Sequence, residues 1–415
     1  MNKPAVVANP AVAVSAIDVP PVSAAKAAGP VYLVLGGISV SHFLNDTMQS
    51  LIPSVYPILK ENYSLSFAQI GLITLAFQIT ASLLQPVVGT VTDRKPQPFS
   101  LAIGMGFTFF GLMMLSGAHN FAMLVVSASM IGLGSAVFHP EASRIARLAS
   151  GGRYGFAQSV FQVGGNFGSA IGPVLAALIV VPFGQPSIAW FSSIAFLAMV
   201  ILWQIGRWYK PRIVARGKAA PVRHAGAPSP RRTAAAIAIL ILLVFSKYIY
   251  MSSLSSYYTF YLMHKFAVTT QTAQLLLFVF LGAVAIGVYF GGPLGDRFGR
   301  RYVIWFSILG TLPFTLILPH VNLEWTVILS FVIGFILASA MPAIIVYAQE
   351  LMPHRFGMIS GLFFGFAFGA GGLGAAMLGI VADAKGIDFV YAVCAYLPAI
   401  GLLAMFLPKM PRLAA

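Results

Sequence analysis

Twelve long apolar stretches follow one another along this chain, and charged residues fall almost entirely between them. They lie near 31–59, 66–91, 98–118, 120–149, 155–182 and 187–209, then near 234–263, 269–295, 302–319, 325–351, 356–382 and 387–408. Each is long enough to cross about 30 Å of hydrocarbon as a helix. With 59% apolar residues and only 8% charged, the natural medium of the chain is lipid rather than water.

A repeat divides the twelve into six and six. Gly89, Asp93 and Arg94 recur 203 residues later as Gly292, Asp296 and Arg297, while Pro140, Arg153 and Gly155 recur 202 residues later as Pro342, Arg355 and Gly357. A nearly constant offset over half the chain points to a duplicated unit. The expected fold is an all-α membrane protein with 12 transmembrane helices in two pseudo-symmetric six-helix bundles, 30–210 and 233–415. Residues 211–232, mixing Pro, Gly and Arg without apolar period, read as a linker, and 1–29, broken by Asp18, Pro20 and Pro21, as a disordered tail.

Orientation follows from the cations, which are retained on the cytoplasmic side. Connections after even-numbered stretches carry Arg94, Lys95, Arg153, Arg207, Lys210, Arg212, Arg216, Lys218, Arg223, Arg231, Arg232, Arg297, Arg300, Arg301 and Arg355; the opposite side has Lys60, Lys265 and Lys385. Both termini and the linker are therefore expected in the cytoplasm. The asymmetry also accounts for the net charge of +15 with no nucleic-acid partner. A single cysteine, Cys394, allows no internal disulfide and offers no metal set. No cofactor is expected, and no nucleophile, metal cluster or phosphate-cradling glycine loop argues for an enzyme.

The segments Gly89-Thr-Val-Thr-Asp93-Arg94 and Gly292-Pro-Leu-Gly-Asp296-Arg297-Phe-Gly299-Arg300-Arg301 resemble the signature of the major facilitator superfamily, which joins spans two and three and recurs between eight and nine. The second copy is nearly complete; in the first, Pro96, Gln97 and Pro98 stand where glycine and basic residues belong. His139-Pro-Glu141-Ala-Ser-Arg144, Gln162-Val-Gly-Gly-Asn166-Phe-Gly168, Phe245-Ser-Lys247-Tyr and Ser255-Ser-Tyr-Tyr-Thr-Phe-Tyr261 are similar to a drug-efflux branch of that superfamily. The resemblance implies two rocking six-helix halves with a midplane site, an inner bacterial membrane, and export of a small anionic phosphonate in exchange for protons. It further implies gate contacts, Asp93 with the start of span eleven near Arg355 and Asp296 with the start of span five near Arg153. Arg94, Arg297, Arg300 and Glu350 are counted with this gate; the partner of Glu350, Arg297 or Arg300, stays open.

Ionisable groups within spans are costly and survive mainly where they face a cavity or a partner. His42 and Asp46, four apart in span one, share a helical face with Gln49. They read as the proton site, or as hydrogen-bonding residues that fix packing. His139 and Glu141 in span four form a second proton-coupling candidate. Glu141 and Arg144, three apart, could instead neutralise one another, and Arg144 is also counted among the substrate ligands.

Lys247 is the lone cation of span seven, amid hydroxyls that include Tyr250, Ser255 and Tyr258. One cation among donors suits a phosphonate or carboxylate; the competing reading locks Lys247 to Asp46 or Glu141 across the halves. Polar stripes through Thr74, Gln78, Ser82 and Gln85 in span two and Gln158, Gln162, Asn166 and Ser169 in span five line a central cavity, opposite Phe363, Phe364, Phe366 and Phe368 of span eleven. Gly164, Gly168 and Gly172 have the spacing that lets helices approach closely. The expected protein is a proton-coupled antiporter acting as a monomer on a small anion. A proton symporter or exporter of an organic-anion metabolite remains the alternative, and a membrane scaffold or lipid-embedded enzyme the rival class.

Overall fold

Hydrocarbon offers no partners to backbone amides and carbonyls, so a chain this apolar closes its hydrogen bonds within helices. A computed structural model describes residues 29–65, 67–217 and 229–408. Among them ten helices are long and apolar enough to cross a membrane. Tyr32–Ser54 and the shorter Ser100–Ser116 occupy the first and third places and complete the expected order. Tyr32–Ser54 falls short of the hydropathy of those ten because it carries Ser41, His42, Asn45, Asp46, Thr47 and Gln49.

Residues 1–28 of the expected tail and 218–228 of the expected linker, with Lys218 and Arg223, lie outside the described residues. The sixth span continues as helix to Gly217 and the seventh starts at Pro230, so the connection is shorter at both ends than 211–232. Ser229 accepts from the Arg232 amide, and a proline at the first helical position is preset for helix, which fixes that start.

The duplication is visible in the packing. Spans one and five pack together as do seven and eleven; two and four as do eight and ten; three and six as do nine and twelve. The halves meet through spans five and eight and through spans two and eleven, which the repeat exchanges. Side chains such as Leu33, Phe278, Ile380 and Phe406 stand out from the bundle as its lipid-facing surface.

The interface between halves is a wedge. Along span five Gln158 is 2% exposed and Gln162 6%, whereas Asn166 and Ser169 are open; along span two Gln85 and Ser82 are buried while Gln78 and Thr74 are half-buried. Both gradients run the same way, from the arginine-rich end outward. The bundle is shut at that end and widens toward the other.

Candidate functional site

Spans four, eight and ten begin with side-chain caps of their own, Asn120, Thr269 and Asn322. Spans five and eleven have none, because the opposite half supplies the acceptor. Asp93 accepts from the amides of Gly357 (3.0 Å) and Met358 (2.8 Å), and Asp296 from those of Gly155 (2.9 Å) and Phe156 (3.0 Å). A carboxylate on the positive end of a helix satisfies free donors and the dipole together. Two glycine pairs permit the approach, since a Cβ on Gly89 would strike the Gly357 carbonyl and one on Gly292 the Gly155 carbonyl.

The cations of the two locks come from different places. Arg300 pairs with Asp296 at 3.1 Å and with Glu350 at 3.2 Å, which chooses between the partners left open for Glu350. The corresponding position in the first copy, 203 residues earlier, is Gln97. Arg144 fills the vacancy from span four, reaching Asp93 at 2.6 Å, Glu141 at 2.7 Å and the Thr92 carbonyl at 2.9 Å. Arg144 and Glu141, expected at the substrate surface and the proton site, are thus engaged with Asp93 at the contact between the halves. Their charges are consumed by each other and by Asp93, and helical rotation turns Glu141 about 200° away from His139. Of the other arginines expected at a gate, Arg153 lies over the Phe156 ring and Arg297 over Phe298, while Arg94 and Arg355 are exposed.

A buried polar cluster backs the locks. Gln349 donates to Ser143 at 3.1 Å and Ser360 at 2.8 Å, Ser143 donates to Gln158 at 3.0 Å, and Ser159 bridges the Val288 carbonyl and the Gly292 amide. The sequence reading missed Gln349; its signal was a second polar residue, beside Glu350, within the apolar tenth span.

Farther from the gate, span four brings His139 to His42 and Asp46. His42 Nε2 lies 3.3 Å from Asp46 Oδ2 and 3.3 Å from His139 Nε2, and His139 Nε2 lies 3.8 Å from Asp46 Oδ1. The other ring nitrogen of each histidine has its own partner. His42 Nδ1 faces the Phe161 carbonyl at 2.7 Å and His139 Nδ1 the Ser135 carbonyl at 3.2 Å. The Phe161 carbonyl only accepts, which puts a hydrogen on His42 Nδ1, whereas His139 Nδ1 can donate to the Ser135 carbonyl or accept from the Ser135 hydroxyl at 3.3 Å. Two imidazole nitrogens and a carboxylate thus converge on one point. Such a set can share a proton or another small cation.

The walls of the triad are dry. Phe161 stacks on His42 at 4.1 Å, and Phe364 and Phe368 of span eleven lie 5.4 Å and 5.2 Å from the His139 ring. Two of the four span-eleven phenylalanines thus face the triad. Gly165 leaves room for it: a Cβ there would overlap the His42 ring and come within 2.7 Å of Asp46. The sequence reading credited its neighbours Gly164, Gly168 and Gly172, which do let span five approach the span-one backbone at Ser39, Phe43 and Thr47, but missed Gly165.

Lys247 is 4% exposed and has no ion pair or hydrogen bond among the described residues; its ammonium lies 5.0 Å from the Tyr248 ring centre. The expected lock to Asp46 or Glu141 is not made, because both carboxylates are taken by other partners. Among the described residues Gln49 and Gln162 keep buried Nε2 donors without acceptors, and the Asn166 amide donates to the Gln162 carbonyl. Gln78 accepts from Ser82. Of the hydroxyl residues, Tyr250 is buried, Ser255 is exposed, and Tyr258 is buried with its hydroxyl shared with Ser330 at 2.8 Å. Tyr258 packs within its own half rather than lining the wedge.

Two pseudo-equivalent six-helix halves, locked at one end and parted at the other around buried ionisable groups, form a membrane transporter and not an enzyme. The chain belongs to the Major Facilitator Superfamily, whose sequence profile matches residues 38–261 and 239–415. It is 58% identical over 376 residues to the fosmidomycin resistance protein of Escherichia coli strain K12, covering 90% of this chain and 92% of that one. It is 40% identical over 386 residues to the MFS-type transporter YfnC of Bacillus subtilis strain 168, covering 92% and 94%. Among solved structures, the human organic anion transporter MFSD10 matches with a TM-score of 0.72 at 16% identity over 91% of this chain and 99% of that one. The Escherichia coli fucose:proton symporter FucP matches at 0.70 and 17% over 91% and 98%. These two share the fold.

Proposed function

We propose that this transporter exports a small anionic phosphonate of the fosmidomycin type across the bacterial inner membrane, in exchange for protons and as a monomer. The arginine-rich end, with both termini, faces the cytoplasm, so the wedge opens outward. The observation that carries the reading is the convergence of His42, Asp46 and His139, three ionisable groups that can share one proton from the outer side. Lys247, a buried cation without a counter-ion among the described residues, supports an anionic cargo, with the spare donors of Gln49 and Gln162 beside the wedge. The 58% identical relative named for fosmidomycin resistance supports the phosphonate class.

The cycle alternates between two occupancies. Anion on Lys247 accompanies opening outward, and a proton on the triad accompanies the return, in which Asp93 and Asp296 release their helices and the inner gate opens. Each elementary charge moved across the membrane is worth about 2.3 kcal/mol per 100 mV. Anion leaving and proton entering are both favoured by an interior-negative potential, so antiport is electrogenic. Symport of a monoanion with one proton is electroneutral.

Everted vesicles test this with labelled fosmidomycin. Uptake driven by an acidic lumen and increased by a lumen-positive potential is the expected result. Uptake that ignores the potential, or that runs with the proton rather than against it, would replace antiport with symport.

A further inference from the structure

The two gate interfaces are related by the repeat, yet their rims differ. Beside Asp93 a cavity of about 160 Å³ opens between spans two and eleven, lined by Thr90, Asp93, Arg94, His354, Arg355 and Met358. At the equivalent places of the other interface stand Pro293, Asp296, Arg297, Gly152, Arg153 and Phe156. There the cations are occupied: the Arg153 guanidinium lies 4.5 Å from the Phe156 ring centre, that of Arg297 lies 5.3 Å from Phe298, and Arg300 rests on Asp296. At the first interface Met358 replaces the phenyl ring, His354 replaces a glycine and Gln97 replaces the third arginine.

Charge at the first rim is consequently unbalanced. The Asp93 carboxylate is already held by two amides and Arg144. Arg94 and Arg355 make no ion pair, side-chain hydrogen bond or ring contact among the described residues. One belongs to each half, so closing the gate brings two like charges to the same cavity. Paired guanidiniums match a tetrahedral oxyanion, accepting on several edges at once.

We propose that this cavity binds a phosphate-class oxyanion, either free or as the headgroup of an acidic phospholipid, which bridges the halves and holds the gate shut. The site is complete only when spans two and eleven meet. A ligand that binds one conformation better than another draws the population toward it. The inference rests on alternating access but not on the proton or cargo assignments, so its failure leaves those standing.

Spin labels at Gln97→Cys and Tyr302→Cys, in a Cys394→Ser background of the full chain, report the separation of the halves at this end. Inorganic phosphate is added against chloride at equal ionic strength, in detergent and in discs of phosphatidylcholine; a further arm uses discs containing phosphatidylglycerol without phosphate. The short-distance population is expected to gain on the open one by about threefold or more with phosphate if the source is soluble, and with phosphatidylglycerol alone if it is lipid. Arg94→Gln with Arg355→Gln should abolish the response, and the two lysine replacements should retain part of it. No response in any arm, or an equal response after Arg94 and Arg355 are both neutralised, overturns the proposal.

Discussion

The Asp93 carboxylate lies 3.0 Å from the Gly357 amide nitrogen, 264 residues further along the chain. Asp296 repeats the contact to Gly155 in the opposite direction, at 2.9 Å. Each half thus carries the missing helix cap of the other, and those amides have a charged acceptor while the halves touch at this end. If the halves part at this end, these caps are lost with the contact.

Asp93→Ala should favour the open gate. Hydrogen bonds to a charged group contribute about 1.5–3 kcal/mol each, so loss of this cap should move the open-to-closed ratio by on the order of 10- to 100-fold. Distances between labels at Gln97→Cys and Tyr302→Cys check this. Asp93→Asn, which keeps one acceptor, should fall between parent and alanine variant.

Arg144→Gln should weaken the same lock and leave Glu141 buried without its cation, at a cost of about 3–5 kcal/mol. Gln97→Arg in that background restores a guanidinium at the place Arg300 holds in the second copy. Thermal unfolding and transport should both recover in part. Recovery in neither would mean that Arg144 does not stand in for the missing arginine of the motif.

Much of this was legible in the sequence, because apolar length and a constant offset survive any detail of packing. The spans and the two halves followed from them, whereas the aspartate contacts to spans five and eleven came from the resemblance of the repeated motif to a known family. What stayed hidden depends on how each helix is rotated against its neighbour. His139 and Glu141 sit two residues apart and read as one cluster, but a helix turns them to opposite sides, one to Asp46 and one to Arg144. Gln349 and Gly165 matter through contacts with residues about 200 and 120 positions away, which no local pattern announces.

Gly165→Ala should abolish coupled transport while the protein still inserts and folds. The added methyl overlaps the His42 ring and crowds Asp46, an overpacking strain of about 1–3 kcal/mol. Anion binding to the purified protein should fall far less than proton-driven flux. Equal losses of both would place the damage in the bundle as a whole.

Lys247→Ala should lower the affinity for labelled fosmidomycin by on the order of 10- to 100-fold, the loss of one charge-assisted interaction. Equilibrium binding to purified protein measures it. Lys247→Arg should bind better than the alanine variant because the charge remains.

Net flux compared with exchange in proteoliposomes, using Asp46→Asn, tests the proton assignment most directly. If the carboxylate of Asp46 anchors the proton between His42 and His139, the variant should still swap labelled for unlabelled fosmidomycin across the membrane, yet accumulate none when a pH gradient is imposed. Accumulation at the parent's rate would contradict the account.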